Sequence, residues 1–112
     1  MPWTVTVRIG PRVTRERCDT AGAALDALRR RLDGVEPLQT AHALARDYAP
    51  EEQVAARGEV RGPGRVLATV RAGADVRGDG SVEAWTGWVR RRIVQPRDDE
   101  DAIAALRRVV GA

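Results

Sequence analysis

The segment covering residues 65–95 constrains the fold more than any other part of the sequence. Its first half, RVLATVRAGADVR, alternates Val and Ala with Arg and Thr, a pattern typical of a β-strand with one buried face. Its second half, SVEAWTGWVRRRIVQ, follows a Gly-Asp-Gly turn. An Asp-Gly step between two such runs strongly indicates a hairpin. We therefore expect one long β-hairpin, which ends at Pro96.

Two registers are open to this hairpin, and they place its side chains differently. A two-residue loop pairs Ala74 with Trp85, whereas a three-residue loop pairs Val76 with Val82. The first register is favoured, because it buries Trp85 over small residues in the core. It also keeps the arginines of the second arm away from the core.

Alternation of apolar and polar residues predicts three further strands. They are expected over residues 3–9, 12–18 and 54–61. The second of them is the most polar and is expected near a sheet edge, where charge discourages further pairing. A turn at 62–64 should lead from the third strand into the long hairpin, with Val60 opposite Val66.

Helical periodicity predicts two amphipathic helices and favours a third. The first covers 21–32 and is capped by Asp19 or Thr20. The second covers 98–110 and opens with four acidic residues, which suit the helix dipole. The alanine-rich stretch 40–47 favours a short helix by propensity, although its alternation also permits a strand.

These elements predict a single α+β domain over residues 1–112, in the order β-β-α-β-β-β-α. The economical arrangement has two layers, with about five antiparallel strands and both helices on one face of the sheet. An antiparallel sheet can leave its other face without a helix. The residues expected on that face are Thr4, Thr6, Arg8, Arg57, Glu59, Arg61, Leu67, Thr69, Arg71, Trp88, Arg90 and Arg92.

Composition limits the classes of protein to which the chain can belong. All 19 basic residues are arginine, and the formal net charge is only +3. A GC-rich genome explains this bias better than selection for phosphate binding. Cys18 is the only cysteine, so an intramolecular disulfide is excluded and a reducing compartment is favoured. The N-terminus lacks the pattern of a signal peptide, and no apolar run approaches about 20 residues. We therefore expect a cytoplasmic protein without a membrane partner.

Candidate catalytic residues lack the sequence context that their chemistry needs. His42 is the only histidine, and no carboxylate or cysteine stands at a metal-ligand spacing from it. Cys18 and Ser81 have no nucleophile motif around them. The acidic run 98–101 lacks the frame of an EF-hand. No catalytic residue, metal or cofactor is predicted, and an enzyme is the least supported class.

One group of residues indicates a function. In the favoured register Trp88 lies opposite Arg71 on the outer face of the sheet, where a cation–π contact is expected. The triple arginine that follows lies on the same arm of the hairpin. The predicted binding residues are Arg71, Trp88, Arg90, Arg91 and Arg92.

Three interpretations of this group remain. Arg and Trp are enriched at protein interfaces, so the first hypothesis is a non-enzymatic module that binds another protein or forms a homodimer. The same residues would suit single-stranded RNA or DNA, with guanidinium groups on phosphates and the ring on a base. A solvated, arginine-rich face without a partner is the third interpretation.

Overall fold

A computed structural model of the chain describes residues 2–38, 41–43, 46–63, 70–88 and 90–112. Within these ranges the chain forms eight strands, two α-helices and one short 3-10 helix. In chain order they are β1 (Trp3–Ile9), β2 (Arg12–Cys18), α1 (Ala21–Leu32), β3 (Ala41–Ala43), β4 (Arg46–Tyr48), the 3-10 helix (Pro50–Glu52), β5 (Val54–Arg61), β6 (Arg71–Arg77), β7 (Val82–Thr86), β8 (Arg92–Val94) and α2 (Ala102–Val110).

Six of the strands form one antiparallel sheet in the order β2-β1-β5-β6-β7-β8. The helices α1 and α2 contact each other, and α1 packs on β1 and β5 while α2 packs on β6 and β7. Their apolar residues share one core with the sheet. The predicted α+β class with an antiparallel sheet is therefore confirmed, and the sheet has six strands where about five were expected. Among the described residues no helix combines the length and the hydropathy needed to cross a membrane.

The core lies between the helices and one face of the sheet. Its central side chains include Val5 and Val60 from the sheet and Leu25, Leu28 and Leu106 from the helices. α1 lies so close to β5 that a Cβ at Gly58 would run into the Leu28 side chain. The small residues of the sheet thus set how near the helix layer can come.

α1 is capped by Thr20, one of the two predicted residues, whereas α2 is capped by Asp101, which was expected within its first turn. The Thr20 side chain accepts a hydrogen bond from the amide of Ala23 at 3.1 Å, and the Asp101 side chain accepts one from Ala104 at 2.8 Å. α2 therefore begins after the acidic run and not within it. Asp101 also accepts two hydrogen bonds from Arg29, at 2.7 and 3.1 Å, which join the two helices.

The predicted long hairpin exists only in part, because its second arm is two strands. β7 ends at Thr86, and the chain turns back so that β8 pairs with β7 on its other side, with Trp85 opposite Ile93. Gly87 makes this reversal possible. Its φ is +114°, a value that side chains disfavour, and a Cβ there would run into the carbonyl of Arg90.

The favoured register of the hairpin is wrong, and the alternative one is found. Val76 pairs with Val82 and Ala74 with Ala84, across a three-residue loop. Gly80 supplies the left-handed residue of that loop, with a φ of +88°, and the Arg77 amide bonds to the Ser81 carbonyl at 2.8 Å. A shift of one residue moves every side chain of the second strand to the other face.

The predicted pairing of the third strand with residues 65–70 is also wrong. Val60 of β5 pairs with Ala72 and not with Val66. β6 begins only at Arg71, after the Gly62 amide has bonded to the Val70 carbonyl at 2.8 Å. Leu67 and Thr69, expected on the outer face, lie outside the described residues.

The helix favoured over residues 40–47 is wrong as well. β3 and β4 form a separate two-stranded hairpin, with Ala41 opposite Tyr48. Pro37 and Pro50 flank this piece and disfavour helical geometry just before each of them. The stretch between them is too short for a helix to form on propensity alone, so the alternation prevails.

Candidate interaction surface

The side of the sheet opposite the helices is the candidate surface, here called the open face. Residues directly opposite each other in antiparallel strands share a face. The registers therefore place three rows there, namely Arg17–Thr4–Arg61–Arg71, Arg15–Thr6–Glu59–Gly73–Trp85–Ile93 and Val13–Arg8–Arg57–Asp75–Glu83. Arg77 follows Asp75 by two residues on β6, and Arg91 reaches the same face from the β7–β8 turn. Among the described residues, eight arginines thus share the open face with three carboxylates.

Trp85 is buried, but not where the sequence predicts. It is only 1% exposed and lies on the open face, because the hairpin adopts the other register. Its ring covers Gly73, where a Cβ would run into both the indole and the Gly58 carbonyl. Its Nε1 donates a hydrogen bond to Asp75 Oδ1 at 3.1 Å. The predicted burial of Trp85 beneath the helices is therefore wrong, although the ring does lie over a small residue, as predicted.

Asp75 is a buried carboxylate at the centre of the open face. It is 3% exposed, and Arg57 donates to it through Nε and Nη2, both at 3.0 Å. Arg91 Nη1 lies 3.5 Å from Asp75 Oδ2, and Trp85 Nε1 donates a further hydrogen bond to the carboxylate. A buried charge is tolerated only when it is paired and hydrogen-bonded. All of the Asp75 partners come from the open face, so the group forms a second, polar core.

Glu59 bridges the next pair of arginines. Its Oε1 accepts hydrogen bonds from Arg61 Nε at 2.7 Å and from Arg71 Nε at 2.5 Å. Burial alone would raise the pKa of Glu59, but these two hydrogen bonds outweigh burial and hold the pKa below its usual value. Arg71 also donates to the Gly87 carbonyl at 2.9 Å, which fixes the start of the β7–β8 turn.

A continuous row of cation–π contacts connects these groups. The guanidinium carbons of Arg91 and Arg71 lie 4.3 and 4.8 Å from the Trp85 ring. Those of Arg61 and Arg71 lie 5.1 and 5.6 Å from the Trp88 ring. All four distances are within the range of a cation–π interaction. The five residues Arg61, Trp88, Arg71, Trp85 and Arg91 are called the Arg–Trp row below.

The five predicted binding residues do not form one surface. Arg71, Trp88 and Arg91 meet in the Arg–Trp row, and the expected contact between Arg71 and Trp88 is present. Arg90 is exposed in the turn. Arg92 pairs with Thr86 and so extends from the helix side of the sheet. Arg71 and Arg91 are each paired with a carboxylate of the chain, which each shares with one further arginine.

The arginines of the open face that have no carboxylate partner among the described residues lie at its other end. Arg8 on β1 and Arg15 and Arg17 on β2 make no ion pair with any other described residue. All three side chains are exposed. They are called the free arginine patch below. Sequence reasoning placed Arg8 on this face but missed the other two, because it treated β2 only as a protected edge.

The described residues give little support to an active site. Burial raises the pKa of the Cys18 thiol, which disfavours the reactive thiolate. Ser81 Oγ bonds to Asp79 at 2.6 Å in an exposed turn. Within the described ranges no three His, Cys, Asp or Glu residues come close enough to hold a metal. The His42 side chain lies outside the described structure.

Comparison with known proteins adds no relative, because no family model, no curated protein and no solved structure matches this chain. Its function has to be argued from the open face itself. That face has two parts with different properties. The Arg–Trp row and its carboxylates are satisfied within the chain, whereas the free arginine patch is basic and exposed.

Proposed function

We propose that this chain is a small binding module that holds an acidic protein partner against its open face. The observation that carries the proposal is the charge imbalance of that face, with eight arginines and three carboxylates on the side that neither helix covers. Eight positive charges less three negative ones leave a surplus of five among the described residues, and three of these belong to the free arginine patch. Electrostatic complementarity of this kind steers and selects an oppositely charged partner.

A homodimer that stacks two open faces is less well supported than an acidic partner. Such a dimer would bring two basic surfaces together, and like-charge juxtaposition costs several kcal/mol at an interface. Within the described part of the chain, the exposed apolar residues on the same face are scattered ones such as Val13, Trp88 and Ile93. Scattered residues of this kind do not make the large apolar patch that a stable dimer needs.

Single-stranded nucleic acid is the second candidate, and the exposed ring of Trp88 favours it. Trp88 is 41% exposed and lies beside two arginines. Sequence-tolerant binding of single strands relies on such stacking platforms. Against this, Glu59 and Asp75 already hold the neighbouring arginines. These two carboxylates would also repel a phosphate backbone that lay along the Arg–Trp row, whereas the acidic partner is placed at the free arginine patch.

The proposal is tested by titration with two model polyanions of equal charge, a labelled polyglutamate peptide and a labelled oligothymidylate. The key variant is Arg8→Gln/Arg15→Gln/Arg17→Gln, which removes the free arginine patch. Its matched control removes the same charge from exposed arginines outside that patch, at Arg12, Arg92 and Arg97.

We expect polyglutamate to bind at low salt, and the patch variant to weaken that binding about tenfold more than the control, since each exposed pair is worth up to about 1 kcal/mol. Equal losses in the two variants would contradict a defined site. Tighter binding of oligothymidylate, with a steep salt dependence, would favour the nucleic-acid candidate.

The lone cysteine, Cys18, makes a reducing compartment such as the cytoplasm the expected setting.

A further inference from the structure

The free edge of the sheet lies on β2, next to the free arginine patch. β2 is the outer strand and is seven residues long, whereas β8 at the opposite edge has three residues and is followed closely by Pro96. A three-residue edge next to a proline offers little to a further strand. β2 is therefore the edge on which another strand can be added.

The register of β2 identifies the backbone groups that are free. A two-residue turn joins β1 to β2, and Ile9 and Arg12 are the pair that closes it. Pairs alternate between hydrogen-bonded and non-hydrogen-bonded along an antiparallel ladder, starting with the closing pair of such a turn. The amides and carbonyls of Val13, Arg15 and Arg17 therefore point away from β1. No other described segment bonds to them.

The same three residues also present their side chains on the open face. Arg15 lies opposite Thr6 and Arg17 opposite Thr4, so both belong to that face. Val13 is 43% exposed beside them. Free backbone groups and uncompensated charge thus coincide at alternate positions of one strand.

We propose that the acidic partner adds to β2 as an extended strand, which becomes the seventh strand of the sheet. This inference rests on the proposed function and names its docking mode, β-strand addition, in which backbone hydrogen bonds supply affinity and alternate side chains supply specificity. An antiparallel partner places an acidic residue opposite Arg17, a second opposite Arg15 two positions later, and an apolar residue opposite Val13.

The intervening partner residues lie on the helix side of the sheet, where Glu16 is the neighbour. Glu16 already pairs with Arg30 and Arg31, at 3.1 and 3.3 Å. Because Glu16 already has its arginine partners, an acidic residue at an intervening position would be repelled by the Glu16 carboxylate. We therefore expect uncharged residues at those positions. The preferred segment is therefore acidic, uncharged, acidic, uncharged, apolar. Arginine on an edge strand repels basic strands and so discourages indiscriminate pairing, and the same charge attracts an acidic strand.

The test uses the unaltered protein and a labelled peptide, Thr-Asp-Thr-Asp-Thr-Val-Thr, with blocked ends. Two methylated forms are compared with it. One carries N-methyl groups on the Asp and Val residues, whose amides face β2 in the proposed complex. The other carries the same number on the last three Thr residues, whose amides face away. We expect the first form to lose at least about tenfold in affinity and the second to keep most of it, since each lost backbone bond contributes roughly a factor of five.

A protein variant gives a second readout. Val13→Pro removes one outward amide and leaves every arginine in place, and proline is tolerated on an edge where the amide faces solvent. We expect this variant to stay folded and to bind the peptide several-fold more weakly. Arg12→Gln, on the helix side, should bind as the unaltered protein does.

The outcomes separate this inference from the proposed function. Equal affinity of the two methylated peptides would overturn strand addition, while retained binding of polyglutamate would leave the proposed function standing. Loss of all binding to acidic probes would overturn both. A dimer in sedimentation that Val13→Pro converts into monomer would assign the β2 edge to a second copy of the chain, which would also overturn the inference.

Discussion

The indole nitrogen of Trp85 donates a hydrogen bond to a carboxylate oxygen of Asp75 across 3.1 Å, on the side of the sheet that neither helix covers. Both residues are almost completely buried. Arginines cover them, with Arg71 and Arg91 against the ring and Arg57 on the carboxylate. The sheet therefore has an apolar core beneath the helices and a small polar core on its open face. Some of the arginines on the basic open face therefore serve to stabilise the fold.

Trp85 tests the contribution of the second core to stability. We expect Trp85→Ala to lower the free energy of unfolding by about 3–5 kcal/mol, as is usual for a large buried aromatic residue. Trp85→Phe keeps most of the ring but removes the donor to Asp75, and should cost about 1–3 kcal/mol. Urea denaturation measures both values. Trp88→Phe is the control at a half-exposed ring and should change stability by less than about 1 kcal/mol; a larger effect there than at Trp85 would contradict this arrangement.

Gly73 is required because the Trp85 ring lies directly on it. In Gly73→Ala the added Cβ meets both the indole and the backbone carbonyl of Gly58, and the backbone cannot move aside cheaply. We expect a loss of about 2–3 kcal/mol, the upper part of the range for overpacking. Gly22→Ala is the matched control, because its Cβ meets only the flexible end of Arg107 at 3.4 Å. That change within α1 should be neutral or stabilise by up to about 1 kcal/mol. Equal effects of the two substitutions would refute the close contact.

Asp75 holds its arginines by charge as well as by shape. Asp75→Asn keeps the size of the side chain but leaves Arg57 and Arg91 without their anion. Both arginines can still reach water, so we expect a loss of about 2–3 kcal/mol, below the full effect of breaking a buried pair. Glu83→Gln breaks the more exposed pair with Arg77 and should cost less than about 1 kcal/mol. Thermal unfolding of the two variants side by side provides the measurement, and a smaller loss at Asp75 than at Glu83 would count against the polar core.

Asp101 makes stability depend on pH in the acid range. Hydrogen bonds from Arg29 and then from the Ala104 amide lower the pKa of Asp101 from 3.8 to about 2. A carboxyl with a lower pKa in the folded state stabilises the fold above its unfolded pKa, and this contribution is lost as the pH falls from about 4 to about 2. Solvent screening keeps it to about 1 kcal/mol or less, since the Asp101 side chain is 57% exposed. Asp101→Asn can still cap α2, so it should lose less stability than the unaltered protein over that pH range. Parallel acid titrations that give identical losses would contradict the assignment.

The sequence allowed the two helices and the first two strands to be predicted because their signals are local. Thr20 and Asp101 cap helices whose apolar stripes are clear, and β1 and β2 alternate on either side of an obvious turn. The register of the hairpin, by contrast, is not determined by local signals. Two loops of similar quality differ by one residue, and burial of Trp85 beneath the helices favoured the wrong one.

A signal for the correct register was nevertheless present. Gly73 stands alone inside a strand, which often marks a close approach by another group. Asp75 also stands inside an otherwise apolar stretch of that strand, and a buried carboxylate needs donors. Together they indicate a polar cluster on the face of odd-numbered residues, with Trp85 opposite Gly73. The turn at Gly87 was harder to anticipate, because the Gly-Trp step continues an apparent strand.

The candidate surface was only partly foreseeable for the same reason. Arg71 and Trp88 attract attention as an Arg–Trp pair, but only the register shows that Glu59 and Asp75 compensate the arginines around them. Whether a charge is free depends on its partners across the sheet, which alternation alone does not reveal. The uncompensated residues Arg15 and Arg17 therefore appear only when strands are paired.

The division of the open face into the Arg–Trp row and the free arginine patch is tested most directly by a map of backbone amide chemical shifts during titration with the acidic peptide. We expect the largest changes at β2, around Val13, Arg15 and Arg17, with little change at Trp85. Largest changes around Trp88 and the β7–β8 turn, with β2 unaffected, would contradict the assignment of binding to the free arginine patch and would return the site to the Arg–Trp row.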